Sequence, residues 1–126
     1  MAHKVLLIDD EAGFTDLLKM NLEKEGEFEV EIENESTRAL DTARRVKPDA
    51  ILLDVVMPGM DGGDVQAQFQ DDPALTSVPV IMLTALVDST EVPDGAVAQS
   101  GSSVVLPKPV NFPLLVRVLK EAVGAE

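Results

Sequence analysis

The chain has 126 residues, enough for one compact domain around one core. Ten basic against 23 acidic residues give a formal net charge of −13, which repels a polyanion such as DNA and argues against direct nucleic-acid binding. The absence of cysteine excludes disulfides and thiolate metal sites, and a single histidine argues against an imidazole-based zinc site, so any metal is expected to be a hard cation held by oxygen, such as magnesium or calcium.

No run of about 18 or more apolar residues is present, so no membrane-spanning segment is expected. The first apolar run, residues 5–8, ends in two aspartates and is too short for a secretory signal; a cytoplasmic protein is expected. With four Phe and no Trp or Tyr, the core is expected to consist of aliphatic side chains.

In chain order, residues 5–8, 50–56, 78–83 and 104–106 are short, nearly continuous apolar runs rich in β-branched residues. Such runs suit strands covered on both faces of a parallel sheet. Residues 27–33 alternate strictly, Glu27-Phe28-Glu29-Val30-Glu31-Ile32-Glu33, which suits a strand with one wet face at a sheet edge. Between these runs lie helical patterns. Phe14, Leu17, Leu18 and Leu22 recur at three- and four-residue spacing, with Gly26 as a stop. Ala39, Leu40, Ala43 and Val46 follow Ser36 as a candidate N-cap and precede Pro48. Val65 and Phe69 mark a third helix, limited by Pro73. Leu114, Leu115, Val118, Leu119 and Ala122 form a stripe capped by Asn111. A short or irregular helix is expected over residues 90–100, interrupted by Pro93 and Gly95.

Five alternating β/α units predict a doubly wound α/β domain, a five-stranded parallel sheet with helices on both faces spanning residues 1–126; the expected order is the flavodoxin-like one, 2-1-3-4-5, one of the two common for such sheets. Ligands of such sheets bind at the carboxyl ends of the strands. Those ends carry Asp9 and Asp10 after the first strand, Asp54 in the third, Thr84 at the fourth and Lys108 after the fifth. Each has an ordinary structural explanation, Asp10 for instance as a helix N-cap. Asp54 resists one, because an ionisable group is out of place inside the apolar run 50–56. Three clustered carboxylates repel one another unless a cation neutralises them, and an octahedral magnesium ion suits an all-oxygen donor set. A carboxylate can also act as a nucleophile and form an acyl phosphate, a transfer that needs in-line placement and positive charge around the moving oxygens.

Asp9-Asp10, the segment Leu53-Asp54-Val55-Val56-Met57-Pro58-Gly59-Met60-Asp61-Gly62, Thr84-Ala85 and Lys108-Pro109 together resemble the receiver domain of bacterial two-component response regulators, over essentially the whole chain. The resemblance implies that Asp54 accepts a phosphoryl group from a histidine kinase or histidine phosphotransfer protein, with Mg2+ or Mn2+ as cofactor. It implies direct metal contact by Asp10 and Asp54, contact through water by Asp9, and a backbone carbonyl ligand from Val56. Thr84 is then the hydroxyl that turns toward a phosphoryl oxygen, and Lys108 the ammonium that pairs with the phosphoryl group. The Lys108–Pro109 bond is expected to be cis, and Pro58 and Gly59 to shape the loop beside the site. A phosphorelay signalling role is implied rather than that of a turnover enzyme, with an unnamed downstream protein and a phosphorylation-dependent homodimer among the partners. The domain is read either as a stand-alone regulator or as one part of a longer one.

The sequence departs from the family pattern in three places. Val105 stands where an aromatic side chain usually reports activation, so the output is expected to depend on Thr84 and loop movement. Pro107 adds a second proline beside Lys108, and Pro93-Asp94-Gly95 interrupts the expected fourth helix. These departures motivate an alternative, a receiver-like protein-binding module that works without phosphorylation. An aspartyl-phosphate hydrolase resembling the haloacid dehalogenases would need a second acid at position 56, which is Val56. A flavin-binding protein would need a phosphate-cradling loop after the first strand, where Asp9-Asp10-Glu11 repel phosphate. Apolar Val56 and Leu86 are expected to limit the approach of water to the phosphorylated site.

Overall fold

The computed structural model describes residues 2–24, 26–55, 59, 62–84, 98–100, 103–107 and 110–124. Its strands are β1 (His3–Ile8), β2 (Phe28–Glu33), β3 (Ala50–Asp54), β4 (Val80–Thr84), β5 (Ala98–Ser100) and β6 (Ser103–Pro107). Its α-helices are α1 (Ala12–Glu23), α2 (Ala39–Val46), α3 (Gly62–Asp71) and α4 (Phe112–Val123), and a 3₁₀ turn, Ser36–Arg38, leads into α2. None of the described helices is long and apolar enough to cross a membrane.

The strands form one sheet in the order β2-β1-β3-β4-β6-β5. The first five of these are parallel and reproduce the expected 2-1-3-4-5 arrangement, with β6 as the fifth parallel strand. The addition is β5, three residues antiparallel to β6 at the far edge. It occupies the end of the stretch expected to be helical; the rest of that stretch, with Pro93-Asp94-Gly95, lies outside the described residues, as does Leu86.

Strand alternation distributes the core between the two faces of the sheet. Val5 and Leu7 of β1 point to one face with Leu52, Leu18 and Leu22 of α1, and Leu115 and Leu119 of α4. Leu6 and Ile8 point to the other, with Ile51, Leu53, Ala43 of α2, and Val65 and Phe69 of α3. The central strands are covered on both sides, which is why their sequences read as unbroken apolar runs. The alternating strand β2 lies at the sheet edge as expected, with Phe28 and Val30 buried and Glu29 exposed.

Helix ends follow the sequence signals in part. Asn111 caps α4, its side chain accepting from the Leu114 amide at 3.1 Å. The chain turns after α1 through Gly26 at φ +80°, a value that favours glycine. Ser36 does not cap α2: it is buried at the start of the 3₁₀ turn, and Arg38 precedes the helix with no side-chain cap. Nor does Asp10 cap α1; Glu11 holds that position, again without a side-chain cap.

After α3, buried Asp72 organises the connection to β4. Its carboxylate accepts from the Arg44 guanidinium of α2 and from the Ala74 amide at 2.8 Å, and its backbone carbonyl accepts from the amides of Leu75 and Thr76. The Arg44 hydrogen bond, seconded by Ala74, holds the Asp72 carboxyl below its ordinary value. The unfolded chain therefore takes up this proton before the folded one does. The stabilisation is present in full above the ordinary aspartate range, about pH 4, and is lost as the pH falls through the lower folded-state value. Asp72→Asn is expected to lower the urea midpoint at pH 7, with the gap to wild type narrowing at pH 3. An unchanged gap at the two pH values would show that the ion pair is not its origin.

Candidate functional site

Parallel register builds the site. Ile8 is level with Leu53, so Asp9 and Asp54, the next residue of each chain segment, emerge side by side at the carboxyl ends of β1 and β3. Asp54 is level with Leu83 of β4, which places Thr84 one step beyond at the same sheet edge. Asp9 is fully buried and Asp54 and Thr84 are each 5% exposed, whereas Asp10 is exposed. One carboxylate oxygen from each of Asp9, Asp10 and Asp54 lies within 4.8 Å of the others.

Two buried carboxylates and a third beside them carry a large desolvation and repulsion cost unless positive charge offsets it. The donor set is entirely hard oxygen. A magnesium ion holds its ligands at about 2.0–2.1 Å, so ligands on opposite sides stand about 4 Å apart. The three carboxylates therefore fit a hard divalent cation, bound directly or through water.

The loops that carry these groups are held from below and beside. The Asp9 carboxylate accepts from the Glu11 amide at 3.0 Å, an Asx-type turn that lets the chain leave β1 and enter α1. The Asp9 amide donates to the Glu33 carbonyl at 3.1 Å, and the Asp9 carbonyl accepts from the Asn34 side-chain amide at 2.7 Å. Beyond β3, Val55 donates to the Leu83 carbonyl at 3.0 Å and accepts from the Gly62 amide at 2.8 Å. Gly59 has φ +85°, consistent with its expected part in shaping this loop, and faces Ser36 and Thr37 of the 3₁₀ turn before α2.

Asp9, Asp10, Asp54 and Thr84 thus occupy the edge that the sequence assigned to them. Val56, Pro58, Lys108 and the Lys108–Pro109 bond lie outside the described residues. Val105 lies in β6, level with Met82 and Ala98, and packs partly buried against the core face of α2 and α3. The third strand ends at Asp54 rather than at the expected residue 56, so the carboxylate stands at the strand terminus.

Two contributors escaped the sequence reading. Asn34 looks like an ordinary turn residue between Glu33 and Glu35, and nothing local reveals that it reaches back to Asp9. Gly62 was legible only as part of a motif. A Cβ at Gly62 would lie 2.7 Å from both the Asp54 carbonyl oxygen and the Val55 Cα, and 3.2 Å from Met82 Cε.

An α/β sheet of this topology with an acidic cluster at the β1 and β3 ends defines the class of signalling receivers. The family model for the response regulator receiver domain matches residues 5–120, and the chain belongs to that family. It is 36% identical over 109 residues to the DNA-binding response regulator MtrA of Mycolicibacterium paratuberculosis, covering 86% of this chain and 46% of MtrA. The chain thus spans about half the length of that curated relative. Among solved structures, a response regulator of Chloroflexus aurantiacus superposes with a TM-score of 0.81 at 27% identity, covering 98% of this chain and 99% of that one. The receiver domain of the sensor histidine kinase PA1611 of Pseudomonas aeruginosa, solved with magnesium in its active-site cleft, gives 0.80 at 26% identity, covering 99% of this chain and all of that one.

Because the clash at Gly62 is with backbone, Gly62→Ala must displace either the start of α3 or the end of β3. A loss of about 1–3 kcal/mol is expected, as for other overpacked positions. Urea unfolding measures it, and wild-type stability in the alanine variant would contradict the close approach.

Proposed function

We propose that this chain is a phospho-accepting receiver module of a two-component system, in which Asp54 takes a phosphoryl group from a histidine kinase or histidine phosphotransfer protein in the cytoplasm. The observation that carries this reading is the convergence of Asp9, Asp10 and Asp54 within 4.8 Å at the carboxyl edge of the sheet. A buried carboxylate at a strand terminus, flanked by two more acids and a hydroxyl, suits a nucleophile better than it suits a core.

In the transfer, an Asp54 carboxylate oxygen bonds to phosphorus as the bond from phosphorus to the donor imidazole nitrogen breaks, its electron pair leaving with the donor. Asp10 and Asp54 would hold Mg2+ directly and Asp9 through water, with Val56 as the expected carbonyl ligand. The bound ion supplies charge neutralisation for the phosphoryl oxygens and the carboxylates, the main catalytic need of phosphoryl transfer. Thr84, buried one residue beyond the Asp54 partner on β4, is the hydroxyl expected to turn toward a phosphoryl oxygen, and Lys108 is the expected counter-ion. The acyl phosphate carries about −1.5 to −2 where the carboxylate carried −1, and this change in charge and shape shifts a two-state equilibrium of the surrounding loops. A downstream protein or a second receiver reads that shift.

Incubation with acetyl phosphate and Mg2+ is expected to add one phosphate to the intact mass, and EDTA or Asp54→Asn to abolish the gain. An unmodified wild type, or the same gain in Asp54→Asn, would overturn the assignment of Asp54.

A further inference from the structure

The three contacts given above for Asp9 hold its turn in place, and two of them come from the last residue of β2 and the residue that follows it. The Asp9 carbonyl is the most informative. It belongs to the planar peptide that leads into Asp10, so whatever fixes that oxygen restricts the direction in which Asp10 leaves the sheet. The group that fixes it is the side-chain amide of Asn34, at 2.7 Å.

The same amide nitrogen donates to Thr15 Oγ1 at 3.2 Å, and that hydroxyl donates to the Ala12 carbonyl at 3.0 Å. Thr15 is fully buried on α1. Asn34 therefore ties together the residue before Asp10 and the first turn of the helix after it. Its own position is set by the end of β2, where the Glu33 carboxylate accepts from the Thr42 hydroxyl of α2 and from the Glu35 amide at 3.0 Å. The next turn, Ser36 and Thr37, lies under Gly59 of the loop that follows Asp54. One short segment thus touches both loops of the acidic site.

We propose that Asn34 is a positioning residue for the cation site: its amide clamps the β1–α1 turn so that Asp10 meets Asp9 and Asp54, and thereby raises the affinity for a divalent cation. The proposal rests on the reading of those three acids as the cation site, and Asn34 itself touches neither the cation nor the phosphoryl group. Supporting groups one bond removed from metal ligands typically alter affinity by 10–100-fold; an effect through the backbone is placed at the lower end, about tenfold.

The test is an NMR titration of the full chain with Mg2+, following the amides around Asp10 and Val55, in wild type, Asn34→Ala, Asn34→Ser and Asp10→Asn, well below each melting midpoint. Serine keeps a donor too short to reach the Asp9 carbonyl, so it serves as the milder second variant. Both Asn34 variants are expected to bind Mg2+ about tenfold more weakly than wild type. In phosphorylation by acetyl phosphate, the Mg2+ concentration giving half the maximal rate should rise by the same factor, while the rate at saturating Mg2+ returns toward wild type. A residue that merely stabilised the fold would lower the melting midpoint and leave Mg2+ half-saturation unmoved, and that result overturns the proposal. No response to Mg2+ in wild type overturns the cation-site reading itself. A response lost in Asp10→Asn but undiminished in a folded Asn34 variant overturns only the role of Asn34.

Discussion

The structure depends on forcing like charges together. Two unit charges about 4 Å apart repel by about 4 kcal/mol at an effective dielectric of about 20, and here three carboxylates share such a space, two of them buried. No side chain acting alone could hold this arrangement. It is imposed by parallel register, which makes Asp9 and Asp54 neighbours because Ile8 and Leu53 are neighbours. The stability of the two core layers is thereby spent on an edge poised to take up positive charge. A cation relieves the repulsion without rearranging the sheet, and a phosphoryl group bound to the cluster would alter the charge balance again. Such a site is sensitive to charge by construction.

The rest of the domain serves that edge. The apolar strand residues anchor α1 and α4 on one face and α2 and α3 on the other. The described residues of the loops at the carboxyl ends leave the strands without loss of the core, held by three contacts: the Asx turn at Asp9, the Gly62 amide on Val55, and the Asn34 bridge. The opposite end of the sheet is braced differently, through the Arg44–Asp72 pair that joins α2 to the α3–β4 connection. Ligand chemistry and structural bracing thus lie toward different ends of the same strands.

The β2 edge shows how an exposed strand is kept from pairing with another chain. Its Val30 amide donates to the Glu23 carboxylate at 2.9 Å, and its Val30 carbonyl accepts from the Lys19 ammonium at 2.9 Å, so α1 side chains occupy backbone groups that a foreign strand would use. Glu27 is further paired with Lys120 of α4 at 3.0 Å. The alternating glutamates of this strand therefore do more than solubilise it: together with the α1 pair they make the edge a poor template.

Hydrophobic periodicity determined the number of parallel strands, the edge position of β2 and the presence of α1, α3 and α4, because burial on one face or two is a property of residue spacing. Motif residues in those strands likewise determined that Asp9, Asp10, Asp54 and Thr84 would crowd one edge. Local pattern failed where contacts distant in the chain take over. Ser36 has the composition of a helix cap yet is buried in a 3₁₀ turn under Gly59, and residues 98–100, expected to be helical, pair with β6 instead. Only the folded chain decided that Glu11 rather than Asp10 would stand at the N-terminal boundary of α1, and that Asn34, 25 positions after Asp9, would hold its carbonyl. Those decisions turn on the direction of single side chains across neighbouring strands, which spacing along a sequence does not encode.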